Sequence, residues 1–269
     1  MPFSAFSLFN ALVPKDLGSK RIARGLSYGP SERHKLDIYA PRWRREKLPV
    51  LVFIYGGSWS DGDRSNYEFA GRAMAALGYV VVVADYRLVP EVEYPGFLID
   101  CTDAYAWTVA HIAEHGGDPS RIGLMGHSAG AYNAAMLALD PAYLRKRGLL
   151  DGLKCLVGLS GPYDFLPFDG PISLRVFGGI QNPERTQPAN LVSDRLPAAF
   201  LGSGDRDDLV SPRNTKTLAA RLAGAGGEVV ERHYPSLGHP HTLLALAVPM
   251  RAFTPVRRDV AEFLKTHLQ

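Results

Sequence analysis

Short apolar or β-branched runs recur along the chain, separated by longer stretches with helical spacing. The runs are KLDIYA (35–40), PVLVFIYG (49–56), YVVVVADY (79–86), RIGLMG (121–126), LKCLVGLSG (153–161), AAFLGSG (198–204) and EVVERHYP (228–235). Helical patterns fall near 64–77, 95–115, 128–139, 212–225 and 256–268. Strands alternating with helices predict an α/β fold, a parallel sheet covered by helices on both faces. VVVVA is apolar on both sides of its pleat, as a central parallel strand should be. The runs around 26–40 alternate more and suggest an antiparallel hairpin at the sheet edge. One long irregular segment, 161–195, is rich in Gly, Pro and aromatic residues, and loops of that length are usually functional or hold a small insertion.

Composition narrows the class. A chain of 269 residues without repeats or linkers is expected to form a single domain, 1–269. Lys plus Arg number 30 against 27 acidic residues, so neither a nucleic-acid partner nor an acidic surface is implied. The basic clusters RWRREK (42–47) and RAFTPVRR (251–258) are short and read as solvated surface. Cys101 and Cys155 are too few for a disulfide framework and read as buried free thiols. The first 18 residues lack a basic leader and a cleavage signal, and read as an amphipathic helix ended near Pro14, within an N-terminal region (1–25) that is a candidate lid. No run of eighteen apolar residues exists, so no stable membrane insertion is expected and a cytoplasmic location is the default.

In a parallel α/β sheet, ligands bind beyond the carboxyl ends of the strands. The residues that follow those ends here are unusual. After RIGLMG comes Ser128, inside GHSAG. After PVLVFIY comes the glycine turn GGSWSDGDR. After AAFLGSG comes DRDDLV, and after EVVERHYPSLG comes His239. The chain order Ser, Asp, His with a strand–turn–helix around the serine is what a nucleophile elbow requires. A serine hydroxyl is nearly inert until an adjacent imidazole takes its proton, and a carboxylate must fix that imidazole's tautomer.

Each role has competitors. Ser128 is the expected nucleophile; capping of the following helix is the bland alternative. His127 sits in the bend and is expected to point away and pack. His239 is favoured as base because Pro240 keeps it out of the helix that His241 enters. Among Asp205, Asp207 and Asp208, spacing from the strand end and from Val210 favours Asp207, with Asp205 the main alternative. The N–H of Ala129, next to the nucleophile, is one candidate oxyanion donor, and the glycine turn should supply another.

The segments YGGSW (55–59), DYRLVPE (85–91), GHSAG (126–130), SGPYDF (160–165), GDRDDLVSP (204–212) and GH (238–239) resemble, in this order, α/β-hydrolase esterases whose oxyanion loop reads His-Gly-Gly-x-Trp. Hormone-sensitive-lipase-like and feruloyl-esterase-like carboxylesterases and kynurenine formamidases share related loops. The resemblance covers about residues 26–268. It implies a mostly parallel sheet of about eight strands flanked by helices, with a short irregular cap segment. It implies Asp207 as the acid, through the G-D-x-D-x-x-V pattern, and the amides of Gly57 and Ser58 beside Ala129 as the oxyanion hole. Tyr55 departs from the pattern, standing where those families have histidine. Trp59 is expected to pack beside the loop or wall the pocket, and Asp85 with Arg87 to form a structural ion pair.

The expected activity is hydrolysis of a small or medium carboxylic ester through an acyl-enzyme, with a small-molecule ester as partner and neither metal nor organic cofactor. An amidase or formamidase on the same residues is the nearer alternative, and a non-catalytic binding protein the more distant one. Tyr163, Phe165, Phe168 and Phe177 are candidate pocket residues, with packing beneath the loop the equal alternative.

Overall fold

The computed structural model describes residues 5–43, 47–192 and 195–269. The cluster RWRREK and the segment 161–195 each fall partly outside them, as does the start of the N-terminal region.

The chain opens with helix α1 (Ala5–Leu12), followed by β1 (Ser19–Ser27) and β2 (Lys35–Pro41), an antiparallel edge hairpin. Next come β3 (Leu48–Ile54), α2 (Glu68–Ala75), β4 (Val80–Ala84), α3 (Gly96–His111), β5 (Gly117–His127), α4 (Ala129–Leu139) and β6 (Leu153–Leu159). The irregular segment contains the short α5 (Pro171–Phe177). It leads into β7 (Ala198–Gly204), α6 (Arg213–Gly224), β8 (Val229–Tyr234), α7 (His241–Leu244) and α8 (Val256–His267). The eight strands form one sheet in the order β1-β2-β4-β3-β5-β6-β7-β8, with β2 antiparallel to both neighbours and the pairs from β4 to β8 parallel.

That order sets the site. From β3 the chain crosses to β4 on one side and then to β5 on the other, so β3 and β5 are neighbours whose following loops diverge at the carboxyl edge. Such a reversal opens a crevice where ligands bind in parallel sheets. Ile54 at the end of β3 is in register with Gly126 at the end of β5, so the glycine turn and the serine turn emerge side by side.

The central strands are apolar because both faces are covered: Val80 to Val83 are fully buried. Helix α4 is buried on every side along all 11 residues, which explains why its sequence is small and apolar all round rather than amphipathic. Gly130 lets α4 pack this deeply, since a Cβ there would lie 2.0 Å from the Ile54 carbonyl oxygen.

Candidate active site

Ser128 stands between β5 and α4 at φ 55, ψ −127, a left-handed bend that a side chain adopts only under strain. The bend is fixed from below, where the Ser128 N–H donates to the Leu159 carbonyl of β6 at 2.9 Å. It lifts the hydroxyl out of the sheet, and Ser128 Oγ lies 2.8 Å from His239 Nε2. His239 Nδ1 in turn lies 2.8 Å from Asp207 Oδ2. Residues 111 and 32 positions apart in the chain therefore share one line of hydrogen bonds.

Asp207 has its side chain fully buried in the loop after β7. Burial pushes its carboxyl upward, but the hydrogen bonds from the His239 ring and from the N–H groups of Val210 (2.8 Å) and Leu209 (3.1 Å) outweigh it. The net effect holds the carboxyl below the usual aspartate value, so it is ionised at neutral pH. An ionised acceptor requires the proton on Nδ1 of His239, which leaves Nε2 free to accept the Ser128 hydroxyl proton.

The competitors lie elsewhere. Asp205 is exposed and lies 3.4 Å from His233 Nδ1, and Asp208 is exposed. His241 begins α7 on the surface, where its Nδ1 accepts the N–H of Gly238 at 3.1 Å.

His127 departs from expectation. It is buried, but it does not simply pack: its Nε2 lies 3.0 Å from the His239 carbonyl oxygen, and the two rings are 5.0 Å apart. A carbonyl can only accept, so Nε2 of His127 carries the proton. Burial, helped by the neighbouring His239 ring, pushes the His127 pKa down to about 3. Sequence reasoning missed this contact; the one local signal was an imidazole at a strand end beside the crevice.

The glycine turn after β3 runs through three successive positive φ values, Gly57 at 130, Ser58 at 53 and Trp59 at 56. At Gly57 a Cβ would lie 2.1 Å from the Asp61 carbonyl oxygen, so only glycine fits. Ala129 is the first residue of α4, and its N–H has no carbonyl within the helix to meet. Among the described residues, no carbonyl accepts from the amides of Gly57, Ser58 or Ala129.

Tyr55 holds this turn where the resembling families use histidine. Its phenol donates to Asp85 Oδ1 at 2.6 Å and accepts from Arg33 Nη2 at 2.9 Å. The same Arg33 nitrogen donates to the Gly62 carbonyl at 2.9 Å, tying down the far end of the turn. Burial, with Asp85 adding to it, pushes the phenol well above its ordinary pKa, so it stays protonated as a donor. The expected Asp85–Arg87 ion pair is not formed. Asp85 binds Arg64, while Arg87 pairs with Asp100 of α3 at 2.7 Å. Two residues apart at the strand exit, they turn toward different elements.

Two cavities meet at Ser128. One, of about 300 Å³, is lined by Trp59, Ala129, Phe165, Ile172 and Val210. The other, of about 220 Å³, is bordered by Phe6, Asp61, Asn66, Tyr67 and His239. Trp59 fills both expected roles, walling the first cavity while its indole N–H donates to Asn133 at 2.9 Å. Of the four aromatic candidates, Phe165 reaches the first cavity, Tyr163 and Phe177 are fully buried core, and Phe168 stacks on Phe177. Among the described residues no cluster of side chains is arranged to hold a metal ion. No described helix is long and apolar enough to cross a membrane.

The sequence model of the BD-FAE family matches residues 36–222, a span that holds Ser128 and Asp207 and ends before His239. Among curated relatives, the probable isoprenylcysteine alpha-carbonyl methylesterase ICME of Oryza sativa is 34% identical over 256 residues. That alignment takes in 87% of this chain but only 61% of the rice protein's length. The carboxylesterase NlhH of Mycobacterium tuberculosis is 32% identical over 236 residues, covering 80% of this chain and 73% of that one. Among solved structures, esterase B from Lactobacillus rhamnosis superposes with a TM-score of 0.83 at 20% identity, over 97% of this chain and 89% of that one. A thermostable esterase from Pseudomonas putida gives 0.81 at 24% identity, over 98% and 88%. At those identities the structures speak to the fold alone, and that fold is the α/β-hydrolase fold.

Proposed function

Because the chain belongs to the BD-FAE family, we propose that it hydrolyses a carboxylic ester through an acyl-enzyme on Ser128. One observation carries the reading: the unbroken hydrogen-bond line from Ser128 through His239 to the buried, ionised Asp207. The names of the methylesterase and carboxylesterase relatives point the same way.

In this reading Ser128 Oγ attacks the ester carbonyl while Nε2 of His239 takes its proton. Asp207 then faces an imidazolium and stabilises it without itself becoming protonated. The oxygen that gains charge is held by the amides of Gly57, Ser58 and Ala129, and each such donor is worth about 2.7–4 kcal/mol in related chemistry. The strained turn orients these donors before substrate arrives, so little reorganisation opposes the reaction. His239 next protonates the departing alcohol, and water, activated by the same ring, releases the acid. No step calls for a metal or organic cofactor.

The test is direct. Purified protein should turn over p-nitrophenyl butyrate and be labelled by a fluorophosphonate at Ser128, and Ser128→Ala should lose both. Retention of turnover by the alanine variant, or failure of the native protein to label, would refute the mechanism.

A further inference from the structure

We infer that the smaller cavity receives the alcohol half of the substrate, and that it selects a hydroxylated alcohol, such as a glycerol or sugar unit carrying a short acyl group. The inference rests on the ester-hydrolase reading above and assigns its two cavities.

The assignment follows from where the proton must go. When the tetrahedral intermediate collapses, the bond from the carbonyl carbon to the alcohol oxygen breaks, and its electron pair stays on that oxygen. The Nε2 proton of His239 is transferred to it, leaving the acyl group on Ser128 Oγ. The leaving oxygen must therefore face His239. His239 and Pro240 border the 220 Å³ cavity, whereas the 300 Å³ cavity touches Ala129 and Trp59 but not His239. The acyl chain is left with the second space.

The two linings differ as the halves of such an ester would. The acyl cavity is the more apolar of the two, with the rings of Trp59 and Phe165 and the aliphatic groups of Ile172 and Val210, although Asp169 and Ser173 also line it. The alcohol cavity is walled by Phe6 of α1 but carries Asp61 and Asn66. Among the described residues the Asn66 side-chain amide has no hydrogen-bond partner, and Asp61 accepts only from the next residue's N–H, at 2.7 Å. An amide with free donors and acceptors and a carboxylate with a free oxygen, lining one cavity, suit a polyol, whose hydroxyls both donate and accept. Both cavities sit at or below the small end of ligand pockets, roughly 300–1,000 Å³, so each half of the ester is short.

The experiment compares kcat/KM for glycerol monobutyrate and pentyl butyrate by proton release, and for an acyl series from acetate to decanoate on p-nitrophenol. The native protein should favour the glycerol ester. Asn66→Ala should lower the glycerol-to-pentyl ratio about fivefold, for the loss of one neutral hydrogen bond, and Asp61→Asn, which exchanges a charged acceptor for a neutral one, should lower it too. The acyl-length optimum should stay unchanged in both. Phe6→Ala should shift the alcohol ratio, and Ile172→Phe only the acyl optimum. A native preference for the pentyl ester, or Asn66 and Asp61 variants that move the acyl optimum instead, would overturn the assignment while leaving ester hydrolysis intact. Absence of turnover on every ester together with absence of fluorophosphonate labelling would instead defeat the parent reading.

Discussion

His127 donates its Nε2 hydrogen to the carbonyl of His239 at 3.0 Å, joining the residue before the serine to the backbone of the residue that faces it. The two ends of the Ser128–His239 hydrogen bond are therefore braced against each other by a second bond one residue away. The second brace on the same carbonyl is the Thr242 hydroxyl at 3.3 Å.

Removing that donor should loosen the base. His127→Ala is expected to lower kcat by about tenfold with a smaller change in KM, since the Nε2-to-Oγ geometry suffers more than substrate binding. His127→Gln, which keeps an N–H near the carbonyl, should recover much of the loss. Equal kcat in the native and alanine proteins would remove His127 from the positioning role.

The same residue makes a signed prediction about acid. Its folded pKa of about 3 lies below the ordinary 6.5, so above pH 6.5 it is neutral in both folded and unfolded states and costs nothing. As pH falls below 6.5 the unfolded chain binds a proton that the folded protein refuses, and stability drops by about 1.4 kcal/mol per pH unit from this group. Urea unfolding at pH 7 and pH 5 should show an extra loss of about 2 kcal/mol in the native protein relative to His127→Gln. Asp207 titrates later, because its folded value is depressed and its contribution fades only below the ordinary aspartate range. Parallel pH dependence in the two proteins would mean that His127 charges in the folded state.

Asp207→Asn keeps the shape of the acid but lets His239 adopt the wrong tautomer, and kcat should fall by about 10³–10⁴. Asp205→Asn, on the exposed side of the same loop, should change kcat by less than about threefold. Steady-state rates on p-nitrophenyl butyrate separate the two, and the opposite ranking would reassign the acid.

Tyr55→Phe removes the hydroxyl that joins Asp85 to Arg33 beneath the glycine turn. The buried Asp85 carboxylate, already pushed upward by burial, then loses a donor, at a cost of about 1–3 kcal/mol in stability. Turnover should fall further than the stability loss explains, with kcat affected more than KM, because the amides of Gly57 and Ser58 lose their support. Thermal unfolding and kinetics measured together check this, and unchanged kcat would show that the backbone alone holds the turn.

Much of this site is legible in the sequence. The strand ends at 56, 126, 204 and 235 were visible as apolar runs, and a parallel sheet collects such ends at one edge whatever its exact strand order. Asp207 and His239 could be ranked above Asp205 and His241 from Val210 and Pro240, because local backbone preferences act over a few residues. Asp85 and Arg87 show where that reasoning stops. Their charges were evident and their partners were not, since Arg64 and Asp100 belong to elements whose packing no local pattern specifies. The irregular segment divided the same way: its aromatic content was plain, but only packing put Phe165 at a cavity and Tyr163 in the core.

What the sequence determined by itself is the alternation of strand and helix, the bend at Ser128 and the chemical kinds of residue at each strand end. These depend on short-range sterics and on hydrophobic periodicity, both written in neighbouring residues. Tertiary structure alone decided that His127 braces His239, that Tyr55 bridges Asp85 and Arg33, and that two unlike cavities flank one hydroxyl. Those outcomes depend on distances between residues far apart in the chain, and such distances are fixed only when the whole core closes.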